Sequence, residues 1–445
     1  MRWNKILRLV TGSILLTLVL SACSANVSED LYALPRQSET YYDLQYAIDQ
    51  VMAPGASYAG PLTGADQQSV QLVDLDGDSD DEAVVFLKTT GELPLKAYVF
   101  DRTEDSYTNI AVIEGEGSGF DAVEYVQLDG EPGYEILLGR RLSDQILRSL
   151  TAYSCQNGKM TELMTCTYSE FKVVDLDADE RKDVFVLRLE AEERAGIAEL
   201  YRWHDDRMER EQEASMSVGA KQIKRIISGH LEGGAPAVFV ASTYEEDTII
   251  TDIFAVRGDS LRNIATGGEL GVSAQTVRSY NVYATDIDAD GVIELPLPLA
   301  LPSYEAGEET QWIIEWYSLT IDGRAKIKMT TYHNYPAGWY LTLPDHWRDQ
   351  ITVSRQTLQE GISAVKVSQW RGYDEDPAEI VTIYAITGEK RSVLASAEDR
   401  FLLAEKGEVA YAASLGASKW ANELTQEELN AMFHFIYMDW NSGET

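Results

Sequence analysis

Short apolar runs that follow acidic turns form the dominant pattern of the chain. Runs such as 83–87, 184–187 and 238–240 are rich in β-branched and aromatic residues, so each predicts a β-strand. The acidic turns before such runs begin at residues 74, 127, 175, 230 and 286, at intervals of 53, 48, 55 and 56 residues. Self-similarity at such a period indicates stacked or radially arranged structural units.

Each unit contains enough apolar runs for four strands. After the first acidic turn, residues 96–100 and 107–113 form two runs that a polar turn separates, and the same arrangement follows the second and fourth turns. Two strands around the acidic turn and one such hairpin make a four-stranded unit, which is the composition of a propeller blade. We therefore predict a mainly β fold, with a β-propeller of about five four-stranded blades over residues 41–330.

The sequence predicts a helix near the N-terminal end of the propeller and a second domain at the C-terminal end of the chain. Residues 41–52 carry apolar side chains at helical spacing, which predicts a helix that packs against the propeller. Four short strands at 351–353, 364–367, 380–386 and 410–413 and a final helix predict a small α+β domain over residues 331–445. Thr425 and Glu428 form the capping box of that helix, and its apolar stripe consists of Leu429, Met432, Phe433, Ile436 and Trp440.

The composition is that of a folded protein with a strong negative charge. A chain of 445 residues has the length of two or three domains, and 44% hydrophobic residues are an ordinary globular value. The chain contains 37 Lys and Arg residues and 73 Asp and Glu residues, which gives a formal charge of −36. Such a field repels phosphate backbones and attracts divalent cations, so we exclude nucleic acid as a partner.

The acidic turns have a spacing that suits calcium, which binds about six to eight oxygen atoms. Carboxylates at positions 1, 3, 5 and 9 recur in three loops: Asp74, Asp76, Asp78 and Glu82; Asp175, Asp177, Asp179 and Asp183; Asp286, Asp288, Asp290 and Glu294. Asp80 adds a further candidate ligand to the first loop. The pattern predicts up to three structural Ca²⁺ sites. The alternative is that these turns only keep the connections between strands solvated.

Two comparisons within the sequence limit this prediction. Position 12, which is an acid in an EF-hand, is Val85, Val186 or Leu297 and lies in an apolar run, so the loops are not EF-hands. The loops at 127–135 and 230–238 begin with Gln127 and His230 in place of an acid. We expect both to lack metal, and we interpret His230 as a turn residue.

The acidic loops resemble those of FG-GAP/VCBS repeats, the repeats of integrin-type β-propellers, over about residues 60–330. The resemblance implies loops of the DxDxDG type between the first two strands of each blade and a structural role for calcium. The segment GWYLTLPDHW at 338–347 is similar to the start of PsbP-like α+β domains. That second resemblance covers about the last 110 residues and brings no catalytic residues with it.

The N-terminus has the layout of an export signal. Basic residues at Arg2, Lys5 and Arg8 precede an apolar run over 9–20, which is typical of a secretory signal peptide. The sequence LSAC at 20–23 resembles the lipobox of bacterial lipoproteins, which implies cleavage after residue 22 and a lipid on Cys23. We therefore expect a signal peptide over 1–22, a linker over 23–40 and a lipid anchor on the extracytoplasmic face of the cell membrane. The alternatives are an uncleaved apolar helix and an ordinary signal peptide.

The two remaining cysteines are predicted to stay unpaired. Asn157-Gly158 predicts a two-residue hairpin turn, and the register it sets places Cys155 opposite Met160 and Cys166 opposite Ser149. Cys155 and Cys166 would then lie roughly 20 Å apart along the ladder, too far for a disulfide. We interpret both as small buried hydrophobic residues.

The sequence carries no recognised catalytic signature. It contains no GxSxG, no HExxH, no glycine-rich phosphate loop and no CxxC, and its five histidines are scattered. The leading hypothesis is a non-catalytic, lipid-anchored extracellular binding or scaffold protein, whose ligand is another envelope protein or a glycan. The alternatives are a surface hydrolase that acts on cell-wall glycan or polysaccharide and an accessory lipoprotein of a membrane sensor or spore-related complex.

Overall fold

The computed structural model describes residues 39–436 except 104–105, 143–147, 157, 191–193, 267–271, 305–308 and 398. The predicted signal peptide, the lipobox with Cys23 and most of the linker lie outside the described residues, as does Trp440. None of the helices in the described part has the length and apolar character that a membrane span requires.

The fold is mainly β, and its first four sheets follow the chain in order. Each is antiparallel, and neighbouring strands are mostly consecutive in sequence. The first sheet contains β1 (Ser57–Tyr58), β2 (Val70–Val73), β3 (Glu82–Lys88), β4 (Leu95–Thr103) and β5 (Ser106–Gly115); the second contains β6 (Gly119–Val126), β7 (Glu135–Arg141), β8 (Arg148–Gln156) and β9 (Lys159–Tyr168). The third contains β10 (Glu170–Val174), β11 (Asp183–Arg188), β12 (Ile197–His204) and β13 (Arg207–Ser215); the fourth contains β14 (Ile223–His230), β15 (Pro236–Thr243), β16 (Ile249–Arg257) and β17 (Ser260–Asn263).

Two further sheets complete the described part of the chain. The fifth contains β18 (Leu295–Ala300), β19 (Trp312–Leu319), β20 (Ala325–Asn334), β21 (Trp339–Leu343) and the late strand β27 (Phe433–Phe435). The sixth contains β22 (Ile351–Gln359), β23 (Ile362–Gln369), β24 (Ala378–Thr387), β25 (Phe401–Lys406) and β26 (Val409–Leu415). The α-helices are α1 (Glu39–Val51), α2 (Arg391–Leu394) and α3 (Gln426–Met432).

Consecutive sheets pack face to face, so their middle strands are buried on both sides. Phe86 of the first sheet meets Phe120 of the second with ring centroids 5.0 Å apart, and Phe185 of the third meets Phe254 of the fourth at 5.4 Å. This double burial explains why β3 and β11 are continuous apolar runs rather than alternating ones. Among the described residues, no buried cluster joins the first sheet to the sixth.

Helices cover the outer faces of the first and last sheets. Ala47 and Ile48 of α1 pack against the first sheet on the side away from the second sheet. Leu394 of α2 packs against the sixth sheet on the side away from the fifth. The predicted helix near residues 41–52 is therefore confirmed, and its apolar face packs as expected.

The predicted change of domain near residue 330 falls inside β20. This strand belongs to the fifth sheet, and β21 and β27 extend the same sheet beyond it. The sequence changes character there because the acidic loops end, while the apolar run that forms β21 continues the ladder.

The final helix is shorter than the sequence predicts. The capping box of Thr425 and Glu428 is present, but the helix ends at Met432 and Phe433–Phe435 form a strand beside β21. Phe433 packs on Trp339, with ring centroids 5.6 Å apart. Pairing with an open sheet edge thus overrides the helical spacing of the apolar stripe.

Four sheets share a register shift, which lies in the strand pairs β4–β5, β8–β9, β12–β13 and β19–β20. It lies between Val99 and Phe100 in the first sheet and between equivalent residues in the others: Ala152 and Tyr153, Leu200 and Tyr201, Trp316 and Tyr317. This bulge corrects one prediction, because Cys166 lies opposite Leu150 rather than Ser149. Cys155 lies opposite Met160 as expected, and within the described residues neither Cys155 nor Cys166 forms a disulfide. Cys155 is buried as predicted, whereas Cys166 is only partly buried because it lies on the last strand of its sheet.

Candidate metal centre

The three loops at 74–82, 175–183 and 286–294, which carry acids at positions 1, 3, 5 and 9 and are called the strong loops below, adopt one backbone conformation. Positions 4 and 6 of each loop have positive φ: Gly77 and Ser79, Ala178 and Glu180, Ala289 and Gly291. A left-handed conformation costs a non-glycine residue roughly 1–2 kcal/mol. The loops with alanine at position 4 keep it nonetheless, so other interactions in the loop must hold the backbone in place.

Hydrogen bonds from the loop backbone to its carboxylates supply that interaction. The position 1 carboxylate accepts the N–H of position 6 in all three loops, with N···O distances of 3.1 Å at Asp74, 3.0 Å at Asp175 and 2.8 Å at Asp286. The position 5 carboxylate accepts the N–H of position 7 at 2.8–2.9 Å in all three. These bonds curl each loop around its own acidic side chains.

The curled backbone brings three carboxylates of each loop together. One oxygen from each of positions 1, 3 and 5 lies within 4.8 Å of the other two: Asp74, Asp76 and Asp78; Asp175, Asp177 and Asp179; Asp286, Asp288 and Asp290. Asp80 does not join its triad, and its backbone N–H donates to Asp78. Hard carboxylate oxygens at this spacing form the donor set that calcium prefers.

The position 9 acid is buried beneath each loop, at the start of β3 and β11 and directly before β18. One carboxylate oxygen of Glu82 accepts the N–H of Leu75 at 2.7 Å, and Asp183 and Glu294 make the same bond to position 2 of their loops at 3.1 Å. The other oxygen, Oε1, is buried in Glu82 and in Glu294 and has no hydrogen-bond partner among the residues that the structure describes. Burial raises the pKa of Glu82, Asp183 and Glu294 to about 7. A buried carboxylate oxygen without a hydrogen-bond partner below an acidic triad fits a bound cation, and among the described residues Glu82 and Glu294 each supply one.

The two degenerate loops are built differently. Glu135 repeats the buried position 9 contact by accepting the N–H of Leu128 at 2.7 Å, but Gln127 donates its amide to the carbonyl of Glu131. In the other loop His230 Nδ1 lies 3.3 Å from the carbonyl oxygen of Gly291, and Glu232 pairs with Lys326. Within the described residues, neither loop gathers three metal-ligating side chains.

Basic side chains distinguish the three strong loops, which sequence reasoning missed. Arg202 lies beside the 175–183 loop, with Nη2 3.0 Å from Asp177 and Nε 3.6 Å from Asp183. Lys328 lies beside the 286–294 loop, with Nζ 2.5 Å from Asp290, and this hydrogen bond raises the pKa of Lys328 and lowers the pKa of Asp290. In the part of the chain that the structure describes, no Lys or Arg nitrogen lies within 4.0 Å of a carboxylate of the 74–82 loop.

The first loop also contacts the loop of the next sheet. A Cβ on Gly77 would lie 2.6 Å from the carbonyl carbon of Pro132, and one on Gly133 would lie 2.6 Å from the carbonyl oxygen of Leu75. Only glycine permits such close approach of two backbones at these two positions. The 74–82 loop is therefore part of the contact between the first and second sheets.

Comparisons with known proteins give a distant structural similarity. No protein-family model matches the chain, and no characterised protein matches its sequence. Among the solved structures, an exotype rhamnogalacturonan lyase, YesX, is similar to this chain, with 11% sequence identity and a TM-score of 0.28. That match covers 81% of this chain and 72% of the lyase chain.

Proposed function

We propose that the chain is a calcium-stabilised, non-catalytic binding scaffold whose sheets are the blades of a propeller-like array. The observation that carries this proposal is the repetition of one curled loop three times, with three carboxylates within 4.8 Å in each. A turn that only needed solvation would not require a buried acid beneath its carboxylates, and Glu82 lies there at 1% exposure below the 74–82 loop. The proposal includes that the acidic repeats are FG-GAP/VCBS repeats and that the C-terminal part is a PsbP-like domain.

Calcium would be held by the acids of a loop and would oppose their mutual repulsion. In the 74–82 loop the ligands would be Asp74, Asp76 and Asp78, and the buried Glu82, which lies outside the 4.8 Å triad, would be a fourth. A bound divalent ion supplies the positive charge that these carboxylates otherwise lack. Hydrogen bonds within the loop hold its backbone in place, and the loop packs against Pro132 of the next sheet. Metal binding should therefore stabilise the contact between two sheets as well as the loop.

The proposed location is the outer surface of a bacterial membrane, with the lipid on Cys23 as the anchor. Such a scaffold would present its sheet edges and loops to an envelope protein or a glycan, and its charge of −36 disfavours nucleic acid. Replacing Cys23 with serine should move the protein from the membrane fraction to the soluble fraction of the producing cells. Unchanged membrane retention of C23S would contradict the anchor.

Thermal unfolding of the detergent-solubilised full chain tests the metal. We expect a higher midpoint with millimolar Ca²⁺ than with EDTA, and bound calcium in the dialysed protein by elemental analysis. A chain that binds calcium only when folded gains about 2.7 kcal/mol at a free concentration one hundred times Kd. Equal concentrations of Mg²⁺ serve as the matched control, because magnesium is smaller and prefers rigid octahedral sites. Identical midpoints in Ca²⁺ and EDTA, with no bound calcium, would refute the proposal.

A further inference from the structure

The three strong loops share their acids but differ in one neighbouring side chain. In the third sheet Tyr201 pairs with Val184, which places the next residue, Arg202, opposite Asp183. In the first sheet Phe100 pairs with Ala83, which places Asp101 opposite Glu82 in the same way. The position that carries a guanidinium beside one loop therefore carries a fifth carboxylate beside the other.

The third strong loop obtains a positive charge from a different strand. Lys328 lies at the bulge of β20, between Ile327 and Met329, the partners of Tyr317 and Trp316. Its ammonium lies 2.5 Å from Asp290, 3.9 Å from Asp288 and 4.0 Å from Glu294 Oε1, the buried oxygen that lacks a hydrogen-bond partner. Lys328 thus reaches two acids of the triad and the acid beneath it.

Arg202 makes the corresponding contacts in the 175–183 loop. Its guanidinium lies 3.0 Å from Asp177 and 3.6 Å from Asp183, and Nη1 donates to Glu211 at 3.2 Å. Glu211 occupies the bulge of its sheet, the position that Lys328 occupies in the fifth sheet. Both loops therefore hold a largely buried positive charge from the protein itself, with 16% of the Arg202 side chain and 15% of the Lys328 side chain exposed.

The 74–82 loop has the same acids, and no Lys or Arg of the described residues places a positive charge within 4.0 Å of them. Glu82 is 1% exposed, and its Oε1 is buried with no hydrogen-bond partner in the described part of the chain. Ile110 occupies the bulge of this sheet, where the fifth sheet has Lys328. A buried carboxylate with acidic neighbours and no counter-charge is costly to keep ionised, which a bound divalent cation would relieve.

We propose that the 74–82 loop is the calcium site of this chain, and that Arg202 and Lys328 are built-in cations that exclude calcium from the other two loops. This inference rests on the proposed function and sets its stoichiometry at one ion per chain. Calcium at either of the other loops would have to displace a positive charge that already pairs with the acids, through a hydrogen bond from Lys328 and through an ion pair of Arg202. Like charges at that distance repel strongly in a partly buried site.

Calcium titration of the detergent-solubilised full chain, by calorimetry and by equilibrium dialysis, tests the inference. We expect one ion per chain for the wild type, none for D76N, two for K328Q and two for R202Q. K328R is the matched control, because it keeps the positive charge and should stay at one ion. A wild type that binds no calcium would overturn the proposed function together with the inference. A wild type that binds two or three ions would overturn only the inference.

A reciprocal variant covers the case in which K328Q or R202Q does not fold. D101R places a guanidinium beside the first loop, at the position that Arg202 occupies beside the other. We expect D101R to lose the single calcium ion and its thermal shift, and D101N to keep both. Far-ultraviolet circular dichroism establishes that each variant is folded. Full calcium binding by D101R, or one remaining ion in D76N, would overturn the assignment of the site.

Discussion

Replacing Glu135 with glutamine should make the protein less sensitive to alkaline pH. Glu135 is 1% exposed, and its carboxylate accepts the N–H of Leu128 at 2.7 Å. Burial raises the pKa of Glu135 to about 7, while the bond from Leu128 opposes the shift. Glutamine keeps the acceptor for Leu128 and cannot ionise. The 127–135 loop begins with Gln127 and lacks the acidic triad, so calcium does not complicate the measurement.

The size of the effect follows from the difference in pKa between the two states. The folded pKa of about 7 exceeds the ordinary value of 4.5, so the folded state retains the proton that the unfolded chain loses. The stabilisation is complete below about pH 4.5 and is lost as the pH rises through about 7. The loss amounts to about 3 kcal/mol, because one pKa unit corresponds to about 1.4 kcal/mol. E135Q should avoid this loss.

The assay is urea unfolding of the full chain in EDTA at pH 5 and pH 8. Other buried acids also titrate in this interval, so the informative quantity is the difference between the variant and the wild type at each pH. E135Q should become more stable relative to the wild type as the pH rises. Glu131, an exposed acid of the same loop, provides the control, and E131Q should follow the wild type. A difference between E135Q and the wild type that is equal at both pH values would refute the reasoning.

Three further predictions concern the 74–82 loop, the contact between loops and the thiols. E82Q should lose most of the thermal shift that calcium produces, because it removes the charge of the buried ligand. E135Q is the control and should keep that shift. Equal shifts in both variants would contradict the role of Glu82. G133A should destabilise the protein by about 1–3 kcal/mol in urea unfolding, because its Cβ would lie 2.6 Å from the carbonyl oxygen of Leu75. G130A is its control, since φ is also positive there and no atom lies within 4 Å of the new Cβ; similar losses in both would argue against a packing effect. Burial raises the pKa of Cys155 to about 11 and that of Cys166 to about 12, so both thiols should resist alkylation at pH 8 in the native protein. After unfolding, both should react without prior reduction, as mass spectrometry would show. A need for a reductant would indicate a disulfide.

Much of the local structure was predictable because it depends on neighbours in sequence. The acids at positions 1, 3 and 5 lie within one short loop, so their spacing alone predicts that they meet. The strands and the helix α1 follow from the periodicity of apolar residues. The same reasoning failed for β27, since Phe433 sits at helical spacing yet pairs with an open sheet edge formed almost one hundred residues earlier.

The positions of the basic side chains beside two of the acidic loops depend on pairing between strands. Arg202 reaches Asp177 only because β12 pairs with β11 in one register, and Lys328 reaches Asp290 because a bulge turns its side chain toward the loop. The same kind of bulge shifted Cys166 by one residue from its predicted partner. A bulge leaves little trace in a single sequence, because any residue can occupy it.

The helix α1 lies over the first sheet on the side opposite the second, where a stack of sheets would otherwise continue. Without it, Val85, Leu87 and Phe100 would present an apolar face able to accept another sheet of similar shape. Terminal caps of this kind keep repeat proteins soluble as single chains. A chain that begins after residue 55 should therefore associate end to end into oligomers, even though each of its sheets keeps its own hydrogen bonds.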